Sequence, residues 1–553
     1  MGECEGVHDV GALAIYCPLL LLPLHGDRKV TMILSTKLKQ PAVGIGLIRV
    51  SSLSLFFALS LFVPNPPLNA QVGYDYHQFT TELVWRGNQA LALCNGVFVS
   101  HRTPDQVYRQ ELASLLYGNR GGLRPYAPMS LDRVTIDYER RAVAVGIGLG
   151  DPAPVMRSAF REGLGCVVMG PDQTFDNIPG LPKLHLPPYP DDAATVLWPD
   201  GDLVTEKHPS DDVDREALRQ AGDWIFDREK HGGHSGQVTV GLLVAYRGDI
   251  VHERYAPGFD MHTRTRTWST AKSIASTVIG IAVGKGLLTL DDPIPIDWLP
   301  EGREGTPDPR RGITLRHVVN MSSGLYPVDN EWQPVRGSHL VYFGGWDASR
   351  HARDRGLINE PGTVFDYENF DILLGLLASK KVIDDQQAYL QFPHRELFRK
   401  IGMRNTIPGV DRYGNYAMSS QVYTNARDLA RLGLLFLNRG IWNGEQIVPE
   451  EWVDFVRTPA PATRNTGNQY GGQWWLVPDS RTDLPQDAFA SSGSQGNYTI
   501  VVPSYDLVVV RRGLDWEEQG PGPGMNRWDV LAEVLRAFPS RKGGKKYGLD
   551  NRD

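Results

Sequence analysis

Residues 268–283 read W-S-T-A-K-S-I-A-S-T-V-I-G-I-A-V. Its apolar residues recur at helical spacing and predict a helix that packs against a core. Lys272 follows Ser269 by three residues, so the two side chains share one face, one turn apart. A buried lysine is costly because desolvation disfavours its charged form. Lys272 therefore either reaches solvent or lies beside Ser269 to take its proton.

The composition is that of a globular protein. The 553 residues are 41% hydrophobic and 22% charged, with a formal net charge of -7. This mild and evenly spread acidity gives no indication of nucleic acid or of an anionic membrane surface as a partner. No cluster of cysteine and histidine has the spacing of a zinc site, and we expect no metal and no organic cofactor.

Residues 1–70 have the pattern of a leader with a secretory signal peptide. Basic residues after Met32 precede the apolar run S-L-S-L-F-F-A-L-S-L-F-V, and a small-residue cleavage pattern ends at Ala70. We expect cleavage near Ala70, a mature chain that begins near Gln71, and a secreted or periplasmic location without stable membrane insertion. An N-terminal membrane anchor is the alternative, although the run is short for a span. The true start, Met1 or Met32, stays open.

Two cysteines, Cys94 and Cys166, lie beyond this leader. In an exported protein they can form a disulfide, since that compartment is oxidising. The alternative is a pair of buried free thiols, and the sequence does not choose between the two.

The rest of the chain divides into three parts. Residues 71–205 mix short helical and β patterns and predict a small N-terminal α/β extension of unknown role. Residues 206–540 carry hairpin patterns near both ends, at 237–255 and 498–512, with helical patterns between them. Such an order implies an α+β fold, an α/β/α sandwich in which both ends of the unit form one antiparallel sheet flanked by a helical subdomain. Residues 541–553 form a solvated tail.

Two further motifs carry chemistry. The stretch F-D-Y-E-N-F contains Tyr367 and Asn369 on a loop that leads into a predicted helix. Tyrosine can relay a proton, and asparagine can orient both a lysine and a substrate. The stretch F-A-S-S-G-S-Q-G-N-Y precedes the last hairpin, and its small residues let a backbone approach a substrate closely. One of its N–H groups, paired with the N–H of Ser269, would form an oxyanion hole.

Taken together, the ordered motifs S-x-x-K, Y-x-N and a small-residue strand resemble the serine β-lactamase and penicillin-binding-protein superfamily. The chain looks most similar to the class C-related branch, which includes family VIII esterases, D-aminopeptidases and 6-aminohexanoate-dimer hydrolases. G-K-G-L-L-T-L-D-D-P-I, I-T-L-R-H-V-V-N-M-S-S-G-L and N-G-E-Q-I-V-P-E-E-W-V match the usual phrasing of that branch. The resemblance covers about residues 210–540. It implies Ser269 as the acylated nucleophile, Lys272 and Tyr367 as shared general base, and Asn369 as a substrate-positioning residue.

The third motif departs from the family pattern. Where relatives have K-T-G or H-x-G, this chain has Ser491, Ser492 and Gly493, and the oxyanion-hole N–H falls at Ser494. We expect Ser491, Gly493 and Ser494 to contact the substrate. Serine supplies a hydrogen bond without a charge, so we expect neutral substrates to be preferred over carboxylates. Arg511 or Arg512, on the neighbouring strand, could restore the missing cation.

The sequence therefore predicts an exported serine hydrolase that cleaves a small-molecule ester or amide through an acyl-enzyme. A β-lactamase or D,D-carboxypeptidase is one alternative, against which the serine at position 491 argues. A catalytically inactive ligand-binding or sensor relative is another, against which the complete set of Ser269, Lys272, Tyr367 and Asn369 argues. The absence of G-x-S-x-G argues against an α/β-hydrolase. The acyl group, the leaving group and the oligomeric state stay open.

Overall fold

A computed structural model describes most of the chain beyond the leader. The described residues are 79–112, 127–148, 151–205, 212–301, 305–329, 337–464, 466–467, 469–516 and 525–539. The predicted leader at 1–70 and the predicted tail at 541–553 lie outside them. Along the described residues, no helix combines the length and apolar character that crossing a bilayer requires.

Helices and strands make up much of the described part of the chain. The helices are α1 (Thr80–Phe98), α2 (Pro104–Gln110), α3 (Arg215–Phe226), α4 (Thr270–Gly284), α5 (Leu315–Val319), α6 (Gly337–Phe343), α7 (Ala348–Arg353), α8 (Phe370–Ile383), α9 (Gln386–Pro393), α10 (Ala426–Leu437), α11 (Glu450–Val456) and α12 (Arg527–Leu535). The strands are β1 (Val134–Asp137), β2 (Ala142–Val145), β3 (Met156–Arg161), β4 (Gly165–Met169), β5 (Thr239–Tyr246), β6 (Asp249–Tyr255), β7 (Thr265–Arg266), β8 (Ile407–Pro408), β9 (Val422–Thr424), β10 (Ile441–Trp442), β11 (Glu445–Gln446), β12 (Tyr470–Gly471), β13 (Trp474–Leu476), β14 (Phe489–Gly493), β15 (Asn497–Val502) and β16 (Leu507–Gly513).

The central sheet is antiparallel and has the order β12-β13-β14-β15-β16-β5-β6. Strand β16 pairs with β5 in the register Leu507↔Tyr246 to Gly513↔Thr239, with a bulge at its end. The first hairpin of the unit, β5–β6, is thereby joined to the last, β15–β16. The two ends of the chain segment meet in one sheet, as the hairpin patterns predict.

Each face of this sheet is covered by helices. Side chains alternate along β15, so Ile500 faces the cluster that includes α3 and α12, while Val501 faces the larger core with α4, α8 and α10. Helix α10 lies very close to the sheet, since a Cβ at Gly433 would lie 2.5 Å from a methyl of Val508. This layering is the predicted α+β fold, an α/β/α sandwich, and that prediction is confirmed.

The N-terminal region packs as part of the same compact unit, which runs from Gly73 onward. Strands β1 to β4 form a four-stranded antiparallel sheet, and α1 packs across it. A disulfide joins Cys94 in α1 to Cys166 in β4, with their Cα atoms 6.0 Å apart. The boundary at 205/206 stays a prediction.

Helix α1 also touches α6, which carries residues that the candidate site uses. A Cβ at Gly87 would lie 1.8 Å from the carbonyl oxygen of Phe343, so only glycine permits this close approach. The predicted extension thus supports a wall of the catalytic unit.

Candidate active site

Ser269 stands at the N-terminus of α4, at the end of a short strained turn from β7. Trp268 has φ +52°, a conformation that non-glycine residues rarely adopt. Its indole Nε1 donates to Gln495 Oε1 at 2.8 Å, and the guanidinium of Arg266 lies 3.7 Å from the ring centre. These contacts hold Trp268 in place directly before Ser269.

Helix α4 is buried along almost its whole length, although four of its fifteen residues are serine or threonine. The hydroxyls on one face donate to carbonyl oxygens of β15 and of the β12–β13 turn: Thr270 to Asn497 at 3.0 Å, Ser273 to Gln473 at 2.7 Å and Ser276 to Gly472 at 2.8 Å. Each buried hydroxyl is therefore satisfied. The helix and the end of β14–β15 form a rigid pair of walls around Ser269.

Lys272 is 1% exposed, and its ammonium lies directly beside the nucleophile. Nζ is 3.0 Å from Ser269 Oγ, 2.6 Å from Asn369 Oδ1 and 3.0 Å from the Ser419 carbonyl oxygen. Burial lowers the pKa of Lys272 to about 7. When the amine is neutral, its two N–H groups can donate to Asn369 and Ser419, which leaves the lone pair facing Ser269 Oγ.

Tyr367 lies over the same pair of residues. Its ring centre is 5.0 Å from Lys272 Nζ, and its ring packs against those of Tyr470 and Trp475, with centroids 5.9 and 5.3 Å away. Although Tyr367 is 37% exposed, burial of its hydroxyl raises the pKa of Tyr367 to about 12. The hydrogen bond with Ser269 opposes this rise. Tyr367 therefore carries its proton at neutral pH.

Asn369 occupies the N-cap position of α8, and its side chain turns toward the site instead of capping the helix. Its Nδ2 donates to Asp329 Oδ2 at 2.6 Å and to Ser338 Oγ at 3.2 Å. The neighbouring Glu368 caps α8 by accepting from the N–H groups of Phe370 and Asp371. Asn369 is thus free to bridge Lys272 and the loop at Asp329.

A buried ion cluster fixes the loop that carries Tyr367 and Asn369. Arg355 lies 3.2 Å from Glu368 Oε1 and 3.1 Å from Asp371 Oδ1. Asp371 also accepts from the hydroxyl of Ser323, in the M-S-S-G-L segment, at 2.7 Å. Burial raises the pKa of Glu368 well above its usual range, and Arg355 opposes that rise.

The end of β14 closes the site beside Ser269. A Cβ at Gly493 would lie 3.1 Å from the Ser269 nitrogen and 2.1 Å from the Thr267 carbonyl oxygen. Strand and helix terminus therefore lie in van der Waals contact, with Ser494 directly after the contact. The N–H groups of Ser269 and Ser494 are the candidate oxyanion donors.

Ser491 is placed differently from our expectation. It is 0% exposed and pairs with Thr499 on the sheet face that packs against α10, so its hydroxyl does not line the cleft. Side chains alternate along a strand, and the half-buried residue next to it is Ser492. Contact between Ser491 and substrate therefore stays a prediction, and the burial of its side chain argues against it.

Neither Arg511 nor Arg512 supplies a cation to the cleft. Arg511 is fully buried and pairs with Asp515 at 2.7 Å. Arg512 is 3% exposed and donates to the carbonyl oxygen of Thr265 at 2.8 Å, behind the nucleophile turn. Both side chains stabilise the sheet and its loops.

A cation that the motifs did not indicate stands at the start of α12. Arg527 lies 4.8 Å from the Trp475 ring centre and donates to Ser492 Oγ at 3.3 Å. Its charge influences Tyr367, and no carboxylate pairs with it among the residues that the structure describes. The only sequence signal is an arginine in the first turn of a predicted helix, where the macrodipole disfavours a cation.

The described residues hold no cluster of three or more His, Cys, Asp or Glu side chains that could bind a metal ion. The site as built consists of a hydroxyl, an amine, a phenol and an amide around one cleft. This set can take a proton from a serine and return it to a leaving group.

The Beta-lactamase family model matches residues 225–511, more than half of the 553 residues. An uncharacterized protein of Alkalihalophilus pseudofirmus is 25% identical over 300 residues, 49% of this chain and 82% of its own. The 6-aminohexanoate-dimer hydrolase of Paenarthrobacter ureafaciens is 23% identical over 326 residues, 54% of this chain and 79% of its own. A solved family VIII carboxylesterase covers 58% of this chain and 96% of its own, with 16% identity and a TM-score of 0.44. On the match to the family model, this chain belongs to the Beta-lactamase family, the serine β-lactamase and penicillin-binding-protein superfamily.

Proposed function

We propose that this protein is a serine hydrolase that cleaves a small-molecule ester or amide through an acyl-enzyme on Ser269. The observation that carries the proposal is the position of Lys272 Nζ, 3.0 Å from Ser269 Oγ, with its other two directions taken by Asn369 and Ser419. A serine hydroxyl becomes a useful nucleophile only when a base takes its proton. The lowered pKa of Lys272, about 7, makes it that base at neutral pH.

The reaction has two halves. Ser269 Oγ attacks the carbonyl carbon while Lys272 takes its proton, and the N–H groups of Ser269 and Ser494 stabilise the oxyanion. The bond to the leaving group then breaks, and the protonated phenol of Tyr367 donates to the departing oxygen or nitrogen and is reprotonated from Lys272. Water repeats the sequence in reverse, which frees the acid and restores the Ser269 hydroxyl.

The test is hydrolysis of a panel of p-nitrophenyl esters and short amide oligomers by the wild type and by Ser269→Ala. We expect turnover of at least one neutral substrate and a loss of about 10⁴-fold or more in the variant. Near-full activity of the variant, with its fold confirmed by circular dichroism, would contradict the proposal.

A second candidate, cleavage of a carboxylate-bearing substrate as in a β-lactamase or D,D-carboxypeptidase, is favoured by Arg527. Its guanidinium lies beside Trp475 and Tyr367 without a described acidic partner, and a charge-assisted hydrogen bond is about twice as strong as a neutral one. If this candidate is right, Arg527→Gln lowers kcat/KM for a carboxylate substrate by about ten- to a hundredfold and spares its neutral analogue. Arg536→Gln, at the exposed far end of α12, is the matched control. Equal effects on both substrates would exclude an anionic subsite at Arg527.

We also propose that the protein is exported. The leader pattern supports this, and so does the disulfide between Cys94 and Cys166, because disulfides persist in oxidising compartments. The intact mass of the protein recovered outside the cytoplasm decides the question. A mature chain that begins near Gln71 is expected, and a full-length intracellular chain would contradict the proposal.

A further inference from the structure

The orientation of one amide decides whether Lys272 can act as a base. Asn369 Oδ1 accepts from Lys272 Nζ at 2.6 Å, so the oxygen end of the amide must face the lysine. Turned by 180°, the amide would present Nδ2, which can only donate. Two donors would then face each other. Lys272 would have to turn its lone pair toward Nδ2 and away from Ser269.

Asp329 fixes that orientation. Its Oδ2 accepts from Asn369 Nδ2 at 2.6 Å, and its Oδ1 accepts from the backbone N–H of Ser338 at 2.9 Å. A carboxylate only accepts, so a flipped Asn369 would set its oxygen against Asp329. The second bond anchors the carboxylate to the start of α6.

Asp329 also differs from the other charges around Lys272. Glu368 forms an ion pair with Arg355, and Tyr367 is protonated. Arg266 is positively charged and lowers the pKa of Lys272. Asp329 has no basic partner among the described ion pairs. The side-chain amide of Asn369 connects it to Lys272, since this amide donates to Asp329 and accepts from Lys272. Burial lowers the pKa of Lys272, and the negative charges of Glu368 and Asp329 oppose that fall.

We propose that Asp329 is a positioning residue of this site, one that holds the Asn369 amide in the single orientation that accepts from Lys272. The proposal rests on the proposed function of Ser269 and Lys272. It assigns a role to a loop carboxylate that none of the sequence motifs contains.

The test is the pH dependence of labelling of Ser269 by a fluorophosphonate, followed by intact mass, in wild type and Asp329→Asn. The labelling rate of the wild type should rise with pH and level off above about 7. In Asp329→Asn the midpoint should move to lower pH by about half a unit to one unit, because a nearby negative charge is lost. The plateau should fall about tenfold as Asn369 loses its fixed orientation.

Asp487→Asn is the matched control, since Asp487 also accepts from one backbone N–H and one side-chain donor, here both of Ser504, outside the site. It should leave midpoint and plateau unchanged. Asp329→Ser, which keeps an acceptor without the charge, replaces Asp329→Asn if that variant does not fold. In an Asn369→Ala background, Asp329→Asn should lower the plateau no further, because the amide is gone.

An unchanged midpoint in a folded Asp329 variant overturns the inference, whatever happens to the rate, because a merely structural role would slow labelling without moving its pH dependence. A full further loss in the Asn369→Ala background overturns it as well. Failure of the wild type to label at Ser269 would instead contradict the proposed function, so the two failures are distinguishable.

Discussion

At the residue scale, the proposed chemistry depends on Lys272, a buried lysine with no acidic group in hydrogen-bond contact. Among the described residues, the hydrogen-bond partners of Lys272 Nζ are oxygen atoms of Ser269, Asn369 and Ser419. Burial without a close counter-charge favours the neutral amine. Under the proposed mechanism, the buried lysine follows the serine by one helical turn because it takes the proton of Ser269.

The activity should therefore rise with pH and reach a plateau above about 7. The base must be neutral, and the lowered pKa of Lys272, about 7, places half-deprotonation there, so activity is lost as the pH falls below it. Lys272→Arg should lose at least about 10³-fold in kcat and show no recovery up to pH 9, because a guanidinium stays protonated. Lys285→Arg, at the other end of α4, is the control. A pH-independent rate between 5 and 9 would contradict the role of Lys272.

The four motif residues could be predicted from the sequence, but their partners could not. The spacing of Ser269 and Lys272 on one helix is local, so a one-dimensional pattern contains it. Asp329 and Arg527 reach the site through tertiary contacts that no local pattern encodes. The strand register buries Ser491 and leaves Ser492 half-exposed. The motif alignment does not fix this register.

At the element scale, α4 and β14 form the catalytic cleft by very close packing. The hydroxyl face of α4 meets carbonyl oxygens of the sheet, and Gly493 leaves no room for a side chain beside Ser269. The helical pattern predicted α4, and the small-residue strand motif predicted β14. The left-handed Trp268 was not predictable, because its conformation is imposed by Gln495 and Arg266.

Gly493→Ala should lower kcat strongly, with only a small change in the melting temperature. The new methyl would lie 2.1 Å from the Thr267 carbonyl oxygen, so β14 must move away from the N-terminus of α4. Displacing one oxyanion donor costs about 10²–10³-fold in kcat. The measurement is kcat on a p-nitrophenyl ester together with the melting temperature. Gly312→Ala, where a Cβ meets nothing within 4 Å, is the control, and an unchanged kcat in Gly493→Ala would contradict this account of the oxyanion hole.

At the scale of the whole molecule, the N-terminal region is bound into the catalytic unit. Helix α1 packs on α6, whose Ser338 bonds to Asn369 and whose Tyr342 bonds to Ser419. The closure of the central sheet by both chain ends was predicted from the hairpins. The support of the site by α1 was not, because it rests on tertiary packing that includes the close approach of Gly87 to Phe343.

Loss of the disulfide should destabilise the mature protein. Cys94 and Cys166 are 72 residues apart, and the chain-entropy model gives about 4 kcal/mol of unfolding free energy for such a loop. We expect the double Cys→Ala variant to show this loss in urea denaturation. The native mature protein should take up no alkylating reagent until it is reduced, and two alkylated thiols without reductant would contradict the pairing.

The central claim is that Ser269 carries the acyl group during turnover. The most direct measurement is acid quench of the enzyme during hydrolysis of a p-nitrophenyl ester, followed by mass spectrometry of its peptides. The account predicts that the acyl group is found on the peptide containing Ser269 in the wild type and is absent from Ser269→Ala. Steady turnover by the wild type with no adduct at Ser269, together with undiminished turnover by Ser269→Ala, would contradict it.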